Sequence, residues 1–207
     1  MEHLGIDLPT LIKTVGYFGL FAITFAESGL FFGFFLPGDS LLFTAGFLAS
    51  QGYLFLPLLI LVVFLGATLG DSFGYFFGKK VGPKIFTKED SLLFKKEYVL
   101  KASQFYGVHG PKALVLARFM PIVRTFAPIV AGVAGMRYRS FVVYNIIGGA
   151  IWAIGLPAAA YFLGSVIPNF DRYIGWVIGG IIIASILPSV WHVVKDRLRS
   201  PKVDKSL

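Results

Sequence analysis

Leu116-Ala117-Arg118-Phe119-Met120-Pro121-Ile122-Val123-Arg124-Thr125-Phe126-Ala127-Pro128-Ile129-Val130-Ala131-Gly132 is the stretch that decides the architecture. It forms the centre of an apolar run from 112 to 135, yet it carries two arginines and two prolines. A charge at the middle of a spanning helix costs about 2.5 to 3.5 kcal/mol, and an internal proline removes a helical hydrogen bond. Broken backbone is tolerated at membrane depth only where it is buried in protein or lines a wet cavity. The run therefore reads as a re-entrant hairpin, with Pro121 and Pro128 as its breaks and Gly132 and Gly135 beyond them.

Composition gives the setting. Of 207 residues, 56% are hydrophobic and 14% charged, against roughly 25% charged in a typical soluble domain. The 22 Phe and 24 Gly point the same way, because this mixture belongs to transmembrane helices. A net charge of +8 would suggest nucleic acid in a soluble protein. In a membrane chain the positive-inside effect accounts for it, and no nucleic-acid partner is expected. Without Cys there is neither a disulfide nor a thiolate metal site. Met1 to Lys13 contains Glu2 and Asp7 and lacks a basic cluster, unlike a cleavable signal peptide.

Working outward from the hairpin, the chain divides as one membrane domain over 1–207. A first re-entrant region covers 14–50, and a spanning helix covers 54–78. A polar connection at 79–111 contains an amphipathic surface helix over 92–106. The second re-entrant region is 112–135. Spanning helices at 140–163 and 173–194 follow, and a basic tail covers 195–207. Fifteen of the nineteen Lys and Arg lie in 79–112, 137–139 and the tail, which places these three regions in the cytoplasm. Both ends of 112–135 then face the same side.

The two halves share a pattern. Glu27 precedes Pro37 by ten positions, and Arg118 precedes Pro128 by ten. A second charge follows in each, Asp39 and Arg124, and then an Ala-Gly pair, Ala45-Gly46 and Ala131-Gly132. The expected fold class is an all-α integral membrane protein, an inverted pseudo-repeat with two opposed re-entrant hairpins plus spanning helices. In such folds, broken segments meet near the midplane and form the substrate site.

Four intramembrane charges then become the candidate site. Arg118 and Arg124 are six apart, which is not one face of a continuous helix, but a bend at Pro121 lets them converge. A guanidinium fork suits phosphate oxygens, so both are expected to bind substrate. Glu27 and Asp39 are expected to pair with them and to couple protons. Burial and a neighbouring guanidinium act in opposite senses on a carboxyl's protonation, and Glu27 has no turn chemistry to explain it. Asp39 also suits a helix cap after Pro37-Gly38, and the bland alternative for all four is an ion-pair network holding the hairpins together. Asp71 is a secondary candidate with a structural or headgroup-level role near a cytoplasmic helix end. Trp152, Trp176, Trp191, Tyr161 and Tyr173 read as packing or interface anchors. His3, His109 and His192 are too scattered for a metal site, no cofactor motif is present, and no nucleophile and base pair suggests an enzyme.

The residues that carry the site resemble the DedA family of bacterial inner-membrane proteins, which bear the SNARE-associated or VTT domain. The likeness lies in Glu27 with Gly29, in Pro37-Gly38-Asp39, in Gly70-Asp71 with Gly74-Tyr75, and above all in Arg118 through Thr125 with Pro128 and Ala131-Gly132. It spans roughly residues 15 to 195. The resemblance implies a bacterial cytoplasmic-membrane location and two opposed re-entrant hairpins. It also implies lipid translocation dependent on the proton-motive force, with Glu27, Asp39, Arg118 and Arg124 as the functional positions.

The expected function is therefore a lipid transporter, or flippase, for a phosphate-bearing lipid, undecaprenyl phosphate first and a phospholipid second. Its partners are that lipid, protons and the membrane. A homodimer could form through the small-residue face of Gly175, Gly179 and Gly180. The alternatives are a proton-coupled exporter of a soluble cation, which would use Glu27 and Asp39, and a non-transporting envelope assembly factor.

Overall fold

The structure is a computed structural model, and it describes residues 8–30, 33, 36, 38–85, 106 and 108–166. The principal helices in chain order are α1 (Leu8–Gly29), α2 (Gly38–Ser50), α3 (Leu56–Ile85), α4 (Ala113–Ala117), α5 (Pro121–Val133) and α6 (Tyr138–Val166). The all-α expectation holds for the described residues. The surface helix expected over 92–106, the spanning helix over 173–194 with its Gly175 to Gly180 face, and the tail at 195–207 lie essentially outside the described residues.

Among the described residues, two helices are long and apolar enough to cross a membrane, Leu56–Val81 within α3 and Tyr138–Val166. At 30 and 29 residues, α3 and α6 each rise about 45 Å, beyond the roughly 30 Å of hydrocarbon. Their outer faces are apolar. Leu58, Leu61, Leu65, Leu69, Phe73 and Phe76 form a helical stripe of exposed side chains on α3, which lipid tolerates and water would not.

α2 and α5 are each 13 residues long, about 20 Å, too short to cross hydrocarbon alone. Both end in the same motif, in which a glycine takes the left-handed conformation beyond the last turn. Gly52 has φ 79° and Gly135 φ 71°. Tyr53 N–H reaches Leu48 C=O at 3.0 Å, and Met136 N–H reaches Ala131 C=O at 3.0 Å.

The expected breaks need one correction. Pro121 does open α5, since Met120 before it is extended (φ −111°, ψ 109°), as a residue preceding proline prefers. Pro128 lies inside α5 and does not break it. One missing N–H is tolerated there because α5 is braced along α3: Pro128 lies over Gly74, and a side-chain carbon at Gly78 would overlap the Ile129 carbonyl. The helix α1 begins at Leu8 and bends at Gly16 (φ 59°, ψ −158°), a conformation essentially confined to glycine.

Packing crosses between the halves. α3 lies against α1 and α5, whereas α2 lies mainly against α6, which also carries α4 and touches α3. Gly29 and Gly70 bring α1 and α3 into backbone contact: a carbon on Gly29 would stand 2.8 Å from the Gly70 carbonyl. One buried cluster joins Leu20, Leu42, Ala45, Leu59, Val63 and Trp152. A second joins Tyr75, Leu114, Ala127, Ala131 and Phe141. The Tyr75 ring stacks on Phe141 at 4.5 Å between centroids, and its hydroxyl donates to the Met136 carbonyl. Arg118 and Arg124 lie between these clusters, beside Leu114, Ala127 and Phe141 of the second and Trp152 of the first.

Candidate functional site

Helix ends place the charged groups. Glu27 lies in the last turn of α1, where the helix dipole disfavours an acid, so it needs a cation. Asp39 lies in the first turn of α2, where the dipole favours it. Arg118 closes α4, and Arg124 stands one turn into α5. The chain reversal at Phe119-Met120-Pro121 is what aims two arginines six residues apart at the same seam.

Arg124 serves both acids of the first half. Its Nη2 donates to Glu27 Oε1, and its Nη1 donates to Asp39 Oδ1 at 2.6 Å. The Glu27 side chain is 1% exposed, Arg124 11% and Asp39 20%. Trp152 completes the group: its Nε1 donates to the same Asp39 oxygen at 2.9 Å. The Trp152 ring also faces the Arg124 guanidinium, with the guanidinium carbon 5.1 Å from the ring centroid, within cation–π range.

Arg118 has a different set of partners. Its Nη2 donates to Asp71 Oδ2 and to Asn145 Oδ1, the latter at 2.7 Å. Asn145 Nδ2 in turn donates to the Thr68 carbonyl at 3.0 Å. Arg118, Asp71 and Asn145 are all buried. Gly149 leaves room for this arrangement, because a carbon there would stand 3.3 Å from Arg118 Nη1 and 2.8 Å from Thr68 Cγ2.

The expected juxtaposition of an acidic first half with a basic second half is thus present, in a particular pairing. Glu27 and Asp39 both belong to Arg124, and neither bonds Arg118. Asp71, expected near a helix end, is instead buried in mid-helix, because α3 continues through Lys79 and Lys80 to Ile85. Trp152 and Asn145 were not anticipated as part of the site. They lie seven residues apart, two turns along one face of α6, with one reaching each arginine group. A buried amide inside an apolar span was a readable signal for Asn145, whereas Trp152 looked like any packing aromatic.

Two small clefts adjoin the arginines. One is lined by Asp71, Leu114, Arg118, Arg124, Pro128 and Asn145 among others. The other is lined by Ser28, Asp71, Arg118, Arg124 and Trp152. Each has room for about one water molecule, so the arrangement is closed over its own ion pairs. Among the described residues no group of three or more His, Asp or Glu is placed to share a metal ion.

Known proteins match both the sequence and this segment. The VTT domain model matches residues 36–162. Protein DedA of Escherichia coli is 41% identical over 208 residues, covering 98% of this chain and 94% of that protein. An uncharacterized membrane protein of Mycobacterium tuberculosis is 42% identical over 191 residues, 90% of this chain and 83% of that protein. Inner membrane protein YqjA of Escherichia coli is 35% identical over 165 residues, 80% of this chain and 74% of that protein. No solved structure matches the chain. With its domain match over the helices that carry Asp39, Asp71, both arginines, Asn145 and Trp152, and identity to DedA along nearly its whole length, the chain belongs to the DedA family of VTT-domain membrane proteins.

Proposed function

We propose that this protein is a transporter of a phosphate-bearing lipid, undecaprenyl phosphate or a phospholipid, across the bacterial cytoplasmic membrane, driven by the proton-motive force and without covalent chemistry. The observation that carries this reading is the pair of arginine groups on one seam, each closed by carboxylates. Guanidiniums are matched to phosphate oxygens in geometry and charge. The acyl chains can stay in lipid, so only the headgroup needs a polar route. A headgroup would displace carboxylates from Arg124 and open the clefts that are closed at rest.

Proton coupling follows from the charge count. Three carboxyls, Glu27, Asp39 and Asp71, face two guanidiniums, and an unbalanced negative charge is costly in hydrocarbon. A proton taken up by Glu27 or Asp39 as a singly charged headgroup arrives keeps that negative excess from growing. The soluble-cation reading has less support, because both acids it would use are occupied by Arg124.

The same reading includes two related hairpins entering from opposite faces. It is supported by the matched 13-residue helices, their shared glycine endings and the crossed packing of α2 on α6 and α5 on α3. Multi-pass insertion with the basic tail in the cytoplasm follows the distribution of Lys and Arg, and the name of the relative YqjA, an inner membrane protein, agrees with the location.

Purified protein in liposomes tests the proposal. Wild type should change the sidedness of a headgroup-labelled phospholipid or polyprenyl phosphate, and Arg118→Ala or Arg124→Ala should abolish the change. Unaltered sidedness with wild type across both lipid classes would sink the idea.

A further inference from the structure

Trp152 touches both members of one ion pair. Asp39 Oδ1 accepts from Arg124 Nη1 at 2.6 Å and from Trp152 Nε1 at 2.9 Å, while the indole face covers the Arg124 guanidinium at 5.1 Å. The indole is held in place by the buried cluster of Leu41, Leu42 and Ala45, and Trp152 itself is 4% exposed. The ring is thus fixed between acid and base.

Transport of a phosphate headgroup gives the ring a task. For a phosphate monoester to take Arg124 Nη1, Asp39 must let go, and a carboxylate left in these surroundings without a donor resists release. The indole N–H is a donor already in place on the departing oxygen. The ring face can meanwhile keep its attraction for the guanidinium. We propose that Trp152 is a positioning residue that retains Asp39 while Arg124 turns to a phosphate monoester, so that the incoming anion replaces one bond without stranding a charge. This rests on the phosphate-lipid reading above.

The test uses the full chain purified in a non-ionic detergent and titrated calorimetrically with dodecyl phosphate and, separately, with inorganic phosphate. Trp152→Phe keeps a ring face and removes the N–H. It should bind dodecyl phosphate about tenfold more weakly than wild type, the scale of one hydrogen bond to a charged group. Trp152→His, whose Nε2 can occupy the place of the indole nitrogen, should recover most of that loss. In an Asp39→Asn background, where no charge needs retaining, Trp152→Phe should change binding by no more than about twofold, since coupled residues depart from additivity.

Equal binding by wild type and Trp152→Phe overturns the inference, as does an equal loss in both backgrounds, which would make Trp152 a packing residue. These outcomes leave phosphate binding itself standing. Absence of binding by the wild type overturns the phosphate reading and this inference with it. Equal affinity for inorganic phosphate, with the same loss in Trp152→Phe, would reassign the ligand from a lipid to the free anion while supporting the role of Trp152.

Discussion

Gly38 and Glu27 are in backbone-to-carboxylate contact: a side-chain carbon at Gly38 would overlap both oxygens of the Glu27 carboxyl group. The first residue of α2 thereby fixes the acid at the end of α1, and through it Arg124 on α5. Three helices from two halves of the chain meet at a position where only a hydrogen atom fits.

Gly38→Ala therefore sets two effects against each other. Alanine is favoured over glycine in a helix by up to about 1 kcal/mol. Overpacking costs about 1 to 3 kcal/mol, and pushing Glu27 away from Arg124 adds the cost of separating a buried pair. The second effect should win, giving a lower Tm in detergent and reduced lipid flux in liposomes. An unchanged or higher Tm would show that the carboxylate has space to move.

Arg124→Ala should be among the most damaging single changes, because it strands Glu27 and Asp39 together. Removing one partner of a buried pair costs about 3 to 5 kcal/mol. Adding Glu27→Gln and Asp39→Asn removes the stranded charges. The triple variant should recover much of the Tm without recovering flux. Recovery of flux as well would mean that the cluster is only a structural clamp.

The positions of the charges were legible in the sequence, and so was the break at Pro121, because a charge in an apolar run and a proline are each readable without knowing what lies opposite. The pairing was not. That Arg124 takes both Glu27 and Asp39, leaving Arg118 to Asp71, depends on which helices cross at Gly29, Gly70, Gly78 and Gly132, and a single chain does not display that crossing. Pro128 misled for a related reason: a proline marks a break only where nothing braces the helix, and α3 braces α5. Asp71 was placed near a helix end because Lys79 and Lys80 read as connection, whereas α3 carries them as helix. Trp152 was out of reach altogether, since its part depends on an N–H meeting an oxygen 113 residues away in sequence.

The Arg118 group should rank its partners by charge. Asp71→Leu leaves a buried guanidinium with one neutral acceptor, and a loss of about 3 to 5 kcal/mol is expected. Asn145→Leu removes that neutral acceptor and keeps the carboxylate, for about 1.5 to 3 kcal/mol. Chemical denaturation in a fixed detergent should give this order. The reverse order would indicate that Asn145, through Thr68, is the main fixture of Arg118.

The crossing of the halves can be tested covalently, because the chain contains no Cys. At the far end of α6, a carbon on Gly164 would collide with Ser50 Oγ, and Gln51 Nε2 donates to the Gly164 carbonyl at 3.4 Å. Ser50→Cys with Gly164→Cys therefore brings two thiols into bridging range, which a disulfide requires within narrow limits. Gly155 has open space where a side chain would go and lies about 13 Å away along the same helix. On mild oxidation, the 50/164 pair should lose both maleimide-PEG shifts on a gel until reductant is added. The Ser50→Cys, Gly155→Cys control should keep both. The closed pair should also melt at a higher temperature, since a bridge across so long a loop restricts the unfolded chain. Persistent labelling of the 50/164 pair would mean that the end of α2 does not meet α6, and the crossed packing that brings Trp152 to Asp39 would fall with it.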